Sequence, residues 1–195
     1  MANQTVLRRQ PRRPGSERRY HQHIMLGTRI DRATMAEVPR VAEIIELCKQ
    51  QMHASGSDQW DEIYPTEAVV AADARADSLF TGWLDGLCAA AVCLNEQQAP
   101  EYAGLNWRDS GGRPLVIHRL CVDPALQNRG IAAKLMDFAE DYARQNSYTS
   151  IRLDTYTGNP RALALYERRG YTRTGQIRFP RRRMMFDCFE KISGS

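Results

Sequence analysis

The sequence predicts an α/β fold in which a mixed sheet of about six to seven strands carries helices on both faces. Three observations support this prediction. Apolar, β-branched runs alternate with longer segments whose apolar residues recur every three or four positions. The dipeptide Asp85-Gly86 between two of the runs is a strong hairpin signal. The predicted strands are apolar on both faces, which is typical of a sheet covered by helices.

Length and charge indicate a basic tail followed by one domain. The chain has 195 residues and a net charge of +4, but residues 1–24 hold six arginines and one acid, a net +5, which leaves −1 for the rest. We therefore expect a disordered tail over residues 1–25 and a single domain over residues 26–195. A true start at Met25, or a basic arm for a nucleic acid or a membrane surface, is an alternative for the tail.

The composition also limits location and partners. A nearly neutral domain argues against nucleic-acid binding by the domain itself, and no apolar run approaches the length of a membrane span. The five cysteines are odd in number, and their spacings match neither a disulfide framework nor a zinc site. We expect free thiols, a cytoplasmic location, no metal, and a monomer or homodimer; a catalytic Cys121 is the alternative.

The predicted elements follow from these patterns in chain order. Thr34 and Glu37 form a possible capping box before the first helix, although Pro39 conflicts with a helix interior. The loop of residues 95–113 is long for a compact domain, which is typical of a functional flap. The elements are strand 28–33, helix 38–52, helix 66–75, strands 79–84, 87–94 and 115–122, a long helix from Ile131, strand 150–156, a short helix after Asn159, and strands 171–177 and 184–191.

The stretch from Leu120 to Glu140 contains a strand end, a tight turn and a long helix. Pro124 ends the strand, and Gly130 lies where the loop becomes a helix. The first N–H groups of a helix have no partner inside it, and the helix dipole is positive there. Such a turn is suited to binding a phosphate or pyrophosphate. A simple turn glycine is the other interpretation.

Two motifs resemble those of a known family. The string Val122-x-Pro124-x-x-Gln127-x-x-Gly130-x-Ala132 resembles the acyl-CoA pyrophosphate loop of the GNAT superfamily of N-acetyltransferases and matches every fixed position of it. Further along the chain, Asn159-x-x-Ala162-x-x-x-Tyr166 is similar to the second GNAT motif. The resemblance covers residues 28–191 and looks like an uncharacterised bacterial branch.

This resemblance implies an N-acetyltransferase in which an amine attacks acetyl-CoA directly in a ternary complex. In the family the turn holds the pyrophosphate, backbone groups at the end of the central strand place the thioester, and the second motif holds the pantetheine arm. The residues implied to bind acetyl-CoA are Leu120, Cys121, Val122, Gln127, Asn128, Arg129, Gly130, Ile131, Ala132, Asn159 and Ala162.

Two residues are candidates for catalysis. The resemblance places Tyr166 near the acetyl sulfur, whereas helical spacing alone is more typical of a core tyrosine. His118 has a suitable unperturbed pKa for a base, and strict alternation puts it on the same face as Leu120 and Val122 unless a bulge intervenes. A packed, inert His118 is one alternative. The alternative bases, acting through water, are Asp154, Asp61 and Glu62.

The loop before Pro65 mixes aromatic residues with acids, which suits an amine, so we predict a small-molecule amine as the acceptor. A loop that only covers the core is the other interpretation. Residues 178–183 carry four arginines and predict a solvated hairpin tip, with an anionic substrate site as the alternative. A non-catalytic acyl-CoA sensor and a protein or peptide N-acetyltransferase are the alternative functions. The candidate acceptor residues are Trp60, Asp61, Glu62, Tyr64, Arg119 and Asp154.

Overall fold

Residues 28–194 are described by a computed structural model and form a seven-stranded mixed sheet with helices on both faces, as predicted. The expectations for residues 1–25 lie outside these residues. The order of helices and strands is the predicted one. The elements are β1 Thr28–Arg32, α1 Val38–Ala54, α2 Glu67–Arg75, β2 Leu79–Leu84, β3 Leu87–Asn95, β4 Pro114–Val122, α3 Ile131–Gln145, β5 Ser150–Tyr156, α4 Pro160–Arg168, β6 Thr172–Ile177 and β7 Phe186–Ile192.

The sheet opens in its middle. The strand order is β1-β2-β3-β4-β5-β7-β6, and all neighbours are antiparallel except β4 and β5, which are parallel. The β4–β5 pairing ends at Val116 and Arg152, although β4 continues to Val122 and β5 to Tyr156. Backbone groups along the unpaired halves of both strands therefore border a gap within the sheet.

The two faces of the sheet carry separate cores. Helices α1 and α2 cover one face, where Ile44, Val70 and Cys121 belong to one buried cluster. Helix α3 and Tyr166 of α4 cover the other face in a larger cluster that includes Leu135. Burial of apolar side chains on both faces explains why the strands lack a polar side.

The first helix begins where Pro39 permits it. The Glu37 carboxylate accepts hydrogen bonds from the Thr34 N–H at 2.7 Å and from its hydroxyl at 2.8 Å, so the predicted pair forms in the turn that precedes α1. Pro39 lies in the first helical turn, where its missing N–H would have no helical partner.

A bulge in β4 changes the side on which His118 lies. Cys93 of β3 pairs with His118 and Ala91 pairs with Cys121, so β4 holds one extra residue between these pairs. Arg119 takes a left-handed conformation there, with φ of 49°. The expectation that His118 shares a face with Leu120 and Val122 is therefore wrong, because the bulge turns both of those residues to the α3 face.

Two further findings bear on the composition. All five cysteines are buried and free. Within residues 28–194, no helix combines the length and apolarity needed to cross a membrane.

Candidate active site

The gap between β4 and β5 opens into a cavity of about 1380 Å³ with two walls of different construction. The helical wall comes from the turn before α3 and from α4, over residues 127–133 and 159–166. The loop wall comes from three loops, over residues 57–64, 97–102 and 179–182. The unpaired ends of β4 and β5 form the floor, which includes Leu120, Cys121, Val122 and Asp154.

The turn of the helical wall has the backbone shape that the sequence motif implies. Asn128 and Gly130 both take positive φ values, 63° and 76°. A Cβ atom at Gly130 would meet no protein atom within 4 Å, so the glycine is required by its backbone conformation and leaves open space above it. The free N–H groups of Ile131 and Ala132, at the start of the 15-residue α3, border this space.

Side chains anchor the turn to the strand before it. The Gln127 amide donates to the Val122 carbonyl at 3.3 Å and to the Gln51 side chain at 3.0 Å. Asp123 accepts the N–H of Ala125 at 2.9 Å. Arg129, by contrast, is exposed and does not line the cavity. The groups that this turn presents to the cavity therefore come mainly from its backbone.

The cysteine at the strand end is unsuited to nucleophilic chemistry. The Cys121 side chain belongs to the core under α1 and α2. Burial raises the pKa of the Cys121 thiol well above its usual value, which suppresses the reactive thiolate.

The second motif begins α4 and connects the two walls. The Asn159 side-chain oxygen accepts the N–H of Ala162 at 3.2 Å, which is the predicted N-cap. Its amide donates to Gln59 of the loop wall at 3.2 Å. The cap therefore aligns the start of α4 with the loop on the opposite side of the cavity.

Tyr166 lies at the junction of core and cavity. It lines the cavity, is only 7% exposed, and packs against the rings of Tyr171 and Phe189 at centroid distances of 6.0 and 5.8 Å. Burial, reinforced by the negative charge of Asp154, raises the pKa of Tyr166 above its usual value. The hydroxyl therefore stays protonated at neutral pH and is available as a donor.

Asp154 combines a raised pKa with a place in the cavity floor. Burial raises the pKa of its carboxyl to about 6, and the nearby charge of Glu101 acts in the same direction. Tyr102, from the loop between β3 and β4, donates a hydrogen bond to this carboxyl at 2.7 Å, which opposes the rise. Sequence analysis missed Tyr102, because nothing in the pattern of a polar loop indicates which of its side chains turns inward.

His118 is held as a neutral imidazole. The Asn95 side-chain oxygen accepts two hydrogen bonds, one from the Gln97 N–H at 2.9 Å and one from His118 Nε2 at 3.0 Å. His118 Nε2 therefore carries a hydrogen. Burial, together with the adjacent charge of Arg119, lowers the pKa of His118 to about 4. A group of that pKa is a weak base at neutral pH.

The acidic residues predicted for the acceptor pocket have other partners or positions. The Asp61 carboxylate accepts the N–H groups of Ile63 and Tyr64 and pairs with Arg182 at 2.5 Å, so the guanidinium lowers the pKa of Asp61 to about 2. Glu62 is exposed and does not line the cavity. Of this loop, Trp60 and Tyr64 do line it, and Trp60 is also buried in the core under α1.

Arg119 closes one side of the loop wall. Its guanidinium donates to both oxygens of Asp73, each at 2.8 Å, and to the Tyr64 hydroxyl at 2.7 Å. The bulge that turns Arg119 out of the strand thus ties β4 to α2 and to the loop before it. Sequence reasoning included Arg119 in the pocket but missed its partner Asp73.

The arginine-rich tip between β6 and β7 is solvated at three of its arginines, as its composition predicts, but the fourth, Arg182, turns inward. Arg182 pairs with Asp61 and is only 7% exposed. The backbone N–H of Arg183 donates to Asp58 at 2.9 Å, and the same carboxylate accepts the hydroxyl of Tyr156. The tip therefore lies over the cavity and is bound to the loop between α1 and α2.

Comparison with known proteins identifies the family of this chain. Residues 41–171, more than half of the chain, match the Acetyltransferase (GNAT) family. The chain therefore belongs to the GNAT acetyltransferases, which are acyl-CoA-dependent transferases.

Curated relatives match over short segments, and the chain spans less than half of the length of each. One is the N-alpha-acetyltransferase RimI of Mycobacterium tuberculosis, with 41% identity over 59 residues, 30% of this chain and 35% of the relative.

Solved structures match over most of the chain at lower identity. A GNAT family acetyltransferase from Streptococcus agalactiae has a TM-score of 0.77 at 20% identity, covering 90% of this chain and 99% of the other. The structure of yncA from Salmonella typhimurium with its cofactor acetyl-CoA has a TM-score of 0.61 at 17% identity, covering 87% and 95%. At these identities the match confirms the fold.

Proposed function

We propose that this protein is an N-acetyltransferase that transfers the acetyl group of acetyl-CoA to the amine of a small molecule, by direct attack in a ternary complex. The observation that carries the proposal is the cavity itself. Both family motifs lie on its helical wall, and a carboxyl of raised pKa, Asp154, lies in its floor near the buried hydroxyl of Tyr166.

Acetyl-CoA would bind along the helical wall. The N–H groups at the start of α3 suit the pyrophosphate, and the open space above Gly130 lets it approach the backbone. The unpaired end of β4 offers backbone groups at Leu120 and Val122 for the thioester and the pantetheine arm. No metal is proposed, and within residues 28–194 no three metal-ligating side chains are grouped.

We assign the base to Asp154. The attacking nitrogen forms a bond to the acetyl carbon, the carbon–sulfur bond breaks, and the amine proton passes to Asp154 directly or through water. A base acts best when its pKa is near the working pH, which favours Asp154 at about 6 over His118 at about 4. Tyr166 donates a proton or a hydrogen bond to the departing sulfur.

The loop wall supports a small acceptor. The contacts of Arg182 with Asp61 and of Arg183 with Asp58 join two loops into one continuous wall on this side of the cavity, whereas an extended peptide would need an open groove. The match to RimI supports the alternative of a peptide amine. Buried free thiols support a cytoplasmic location, and either a monomer or a homodimer is compatible with the fold.

An acceptor screen tests the proposal. Free thiol is followed with acetyl-CoA and small amines, amino acids, aminoglycosides or short peptides, and hydrolysis without acceptor is subtracted. We expect turnover with a small amine and intersecting initial-velocity lines, as a ternary complex requires. Turnover of peptides alone would replace the small-molecule acceptor with a peptide, and acetyl-CoA binding without turnover of any amine would indicate a sensor.

A further inference from the structure

The ionisable residues that line the cavity are mostly positive. Among the described residues, five arginines and one carboxylate, Asp154, face it. Cationic acceptors such as polyamines would be repelled by the arginines that have no carboxylate partner, at a cost that is greater in a confined site than in water. The lining arginines are Arg119, Arg161, Arg168, Arg181 and Arg182.

Some of these charges are already neutralised within the protein. Arg119 pairs with Asp73, and Arg182 pairs with Asp61. These pairs involve two carboxylates that could otherwise attract an amine, so neither of the two adds a net negative charge to the cavity. Arg161 and Arg168 lie on α4, beside the motif that is proposed to hold acetyl-CoA.

Arg181 is different, because it is an unpaired charge on the loop wall. No residue within 28–194 forms a hydrogen bond or ion pair with its guanidinium, which is exposed at the cavity edge. Its backbone takes a left-handed conformation with φ of 65°, and the next two residues are anchored to Asp61 and Asp58. The anchored tip thus holds an available guanidinium at the edge of the cavity whose floor contains Asp154.

We propose that the acceptor is an anionic amine, which carries a carboxylate or phosphate that binds Arg181 while its amine reaches Asp154. A guanidinium donates paired hydrogen bonds to either of these groups. This inference rests on the proposed acetyl transfer, because it requires the amine of the acceptor to lie beside Asp154, the base assigned for that reaction. The two charged ends would align the acceptor along the cavity.

Matched acceptor pairs test the inference. An aromatic amino acid is compared with its amide, and phosphoethanolamine with ethanolamine, using kcat/KM corrected for the fraction of unprotonated amine. We expect the anionic member of at least one pair to be preferred by about tenfold or more, which matches a charge-assisted hydrogen bond. The pair that shows the preference distinguishes a carboxylate from a phosphate.

Two variants locate the effect. Arg181→Gln should raise the KM of the anionic acceptor about tenfold and leave the neutral acceptor unchanged. Arg75→Gln removes the same charge at an exposed residue of α2 that does not line the cavity, and it should change neither value. Equal preference for anionic and neutral members, or a preference that survives Arg181→Gln, would overturn the inference.

A binding measurement separates this inference from the proposed function. Calorimetry on the protein saturated with CoA compares the same pairs without turnover. Tighter binding of the anionic member of a pair, lost in Arg181→Gln, would support the anionic site. If no amine is acetylated in the same experiments, only the proposed acetyl transfer is rejected. Turnover of neutral amines without any anionic preference leaves the transfer activity intact and rejects the anionic acceptor.

Discussion

The two walls of the cavity differ in how the chain builds them. The turn of the helical wall is made by consecutive residues whose backbone conformations, including the positive φ of Asn128 and Gly130, create a place for an anion. The loop wall is made by side-chain pairs between distant residues, such as Asp61 with Arg182, 121 positions apart, and Tyr102 with Asp154, 52 positions apart.

This difference matters for function. An anion site made of backbone N–H groups depends on local geometry and tolerates changes elsewhere. A site made of paired side chains depends on every partner, and each partner also sets the charge of the others, as Arg182 does for Asp61. We therefore expect changes in the turn of the helical wall to affect acetyl-CoA binding, and changes in Tyr166, the floor and the loop wall to affect chemistry, acceptor choice and pH dependence.

The largest effect is expected from Asp154→Asn, which keeps the shape of the side chain and removes the base. The kcat should fall by roughly 10²–10⁴-fold, the usual contribution of a general base, with acetyl-CoA affinity unchanged. Because the folded protein raises this pKa to about 6, ionisation above that pH disfavours folding, so the variant should be no less stable at pH 7. Thiol release measures the kcat, and thermal unfolding at pH 7 measures the stability. A kcat within twofold of the parent would remove Asp154 from the mechanism.

The helical wall is tested by Gly130→Glu, which places a negative side chain where the pyrophosphate should bind. At about a hundredfold excess over its dissociation constant, acetyl-CoA should stabilise the parent by about 2.7 kcal/mol, and the variant should lose this gain. Gly86→Glu is the matched control, because Gly86 also has a positive φ, 82°, and open space around it, but lies outside the cavity lining. Thermal unfolding with and without acetyl-CoA is the measurement. A full ligand-induced shift in Gly130→Glu would show that the turn does not bind the pyrophosphate.

A smaller effect is expected from Tyr166→Phe, which removes one hydroxyl and keeps the buried ring. A thiol with a pKa of about 8.5 is a fair leaving group without help, so kcat should fall only roughly 10- to 100-fold, with little change in acetyl-CoA affinity. Steady-state kinetics with the best acceptor, under conditions where chemistry limits the rate, measure this. An unchanged kcat would make Tyr166 a packing residue.

Tyr102→Phe should have the smallest effect on the rate. It should, however, change the pH dependence of kcat/KM. The Tyr102 hydroxyl lowers the pKa of Asp154, so its removal should move that pKa upward from about 6. The acidic limb of the kcat/KM profile should shift to higher pH, while the plateau at high pH stays nearly constant. Tyr148→Phe is the control, because that buried hydroxyl bonds to Glu96 and does not line the cavity. A shift of the same size in both variants would contradict the role of Tyr102.

Particular residues show where sequence reasoning succeeded and where it failed. The Asn159 cap and the Gly130 turn were predictable, because each depends on the residue itself and on neighbours within one helical turn. The side of the sheet on which His118 lies was not predictable, because a bulge depends on how two whole strands pair. The partners of Arg182 were not predictable either, because nothing near it in the chain indicates that Asp61 lies opposite.

Short-range patterns in the chain are enough to predict the order of strands and helices, the hairpin turn, and the backbone turn suited to a pyrophosphate, since each follows from periodicity, capping and φ preferences. Three features depend on long-range packing: the separation of β4 from β5, the pKa of about 6 at Asp154, and the unpaired guanidinium of Arg181 beside acids that already have partners. The physical reason is that burial and pairing of charges depend on which distant segments meet, and these in turn set the charge and chemistry of the cavity.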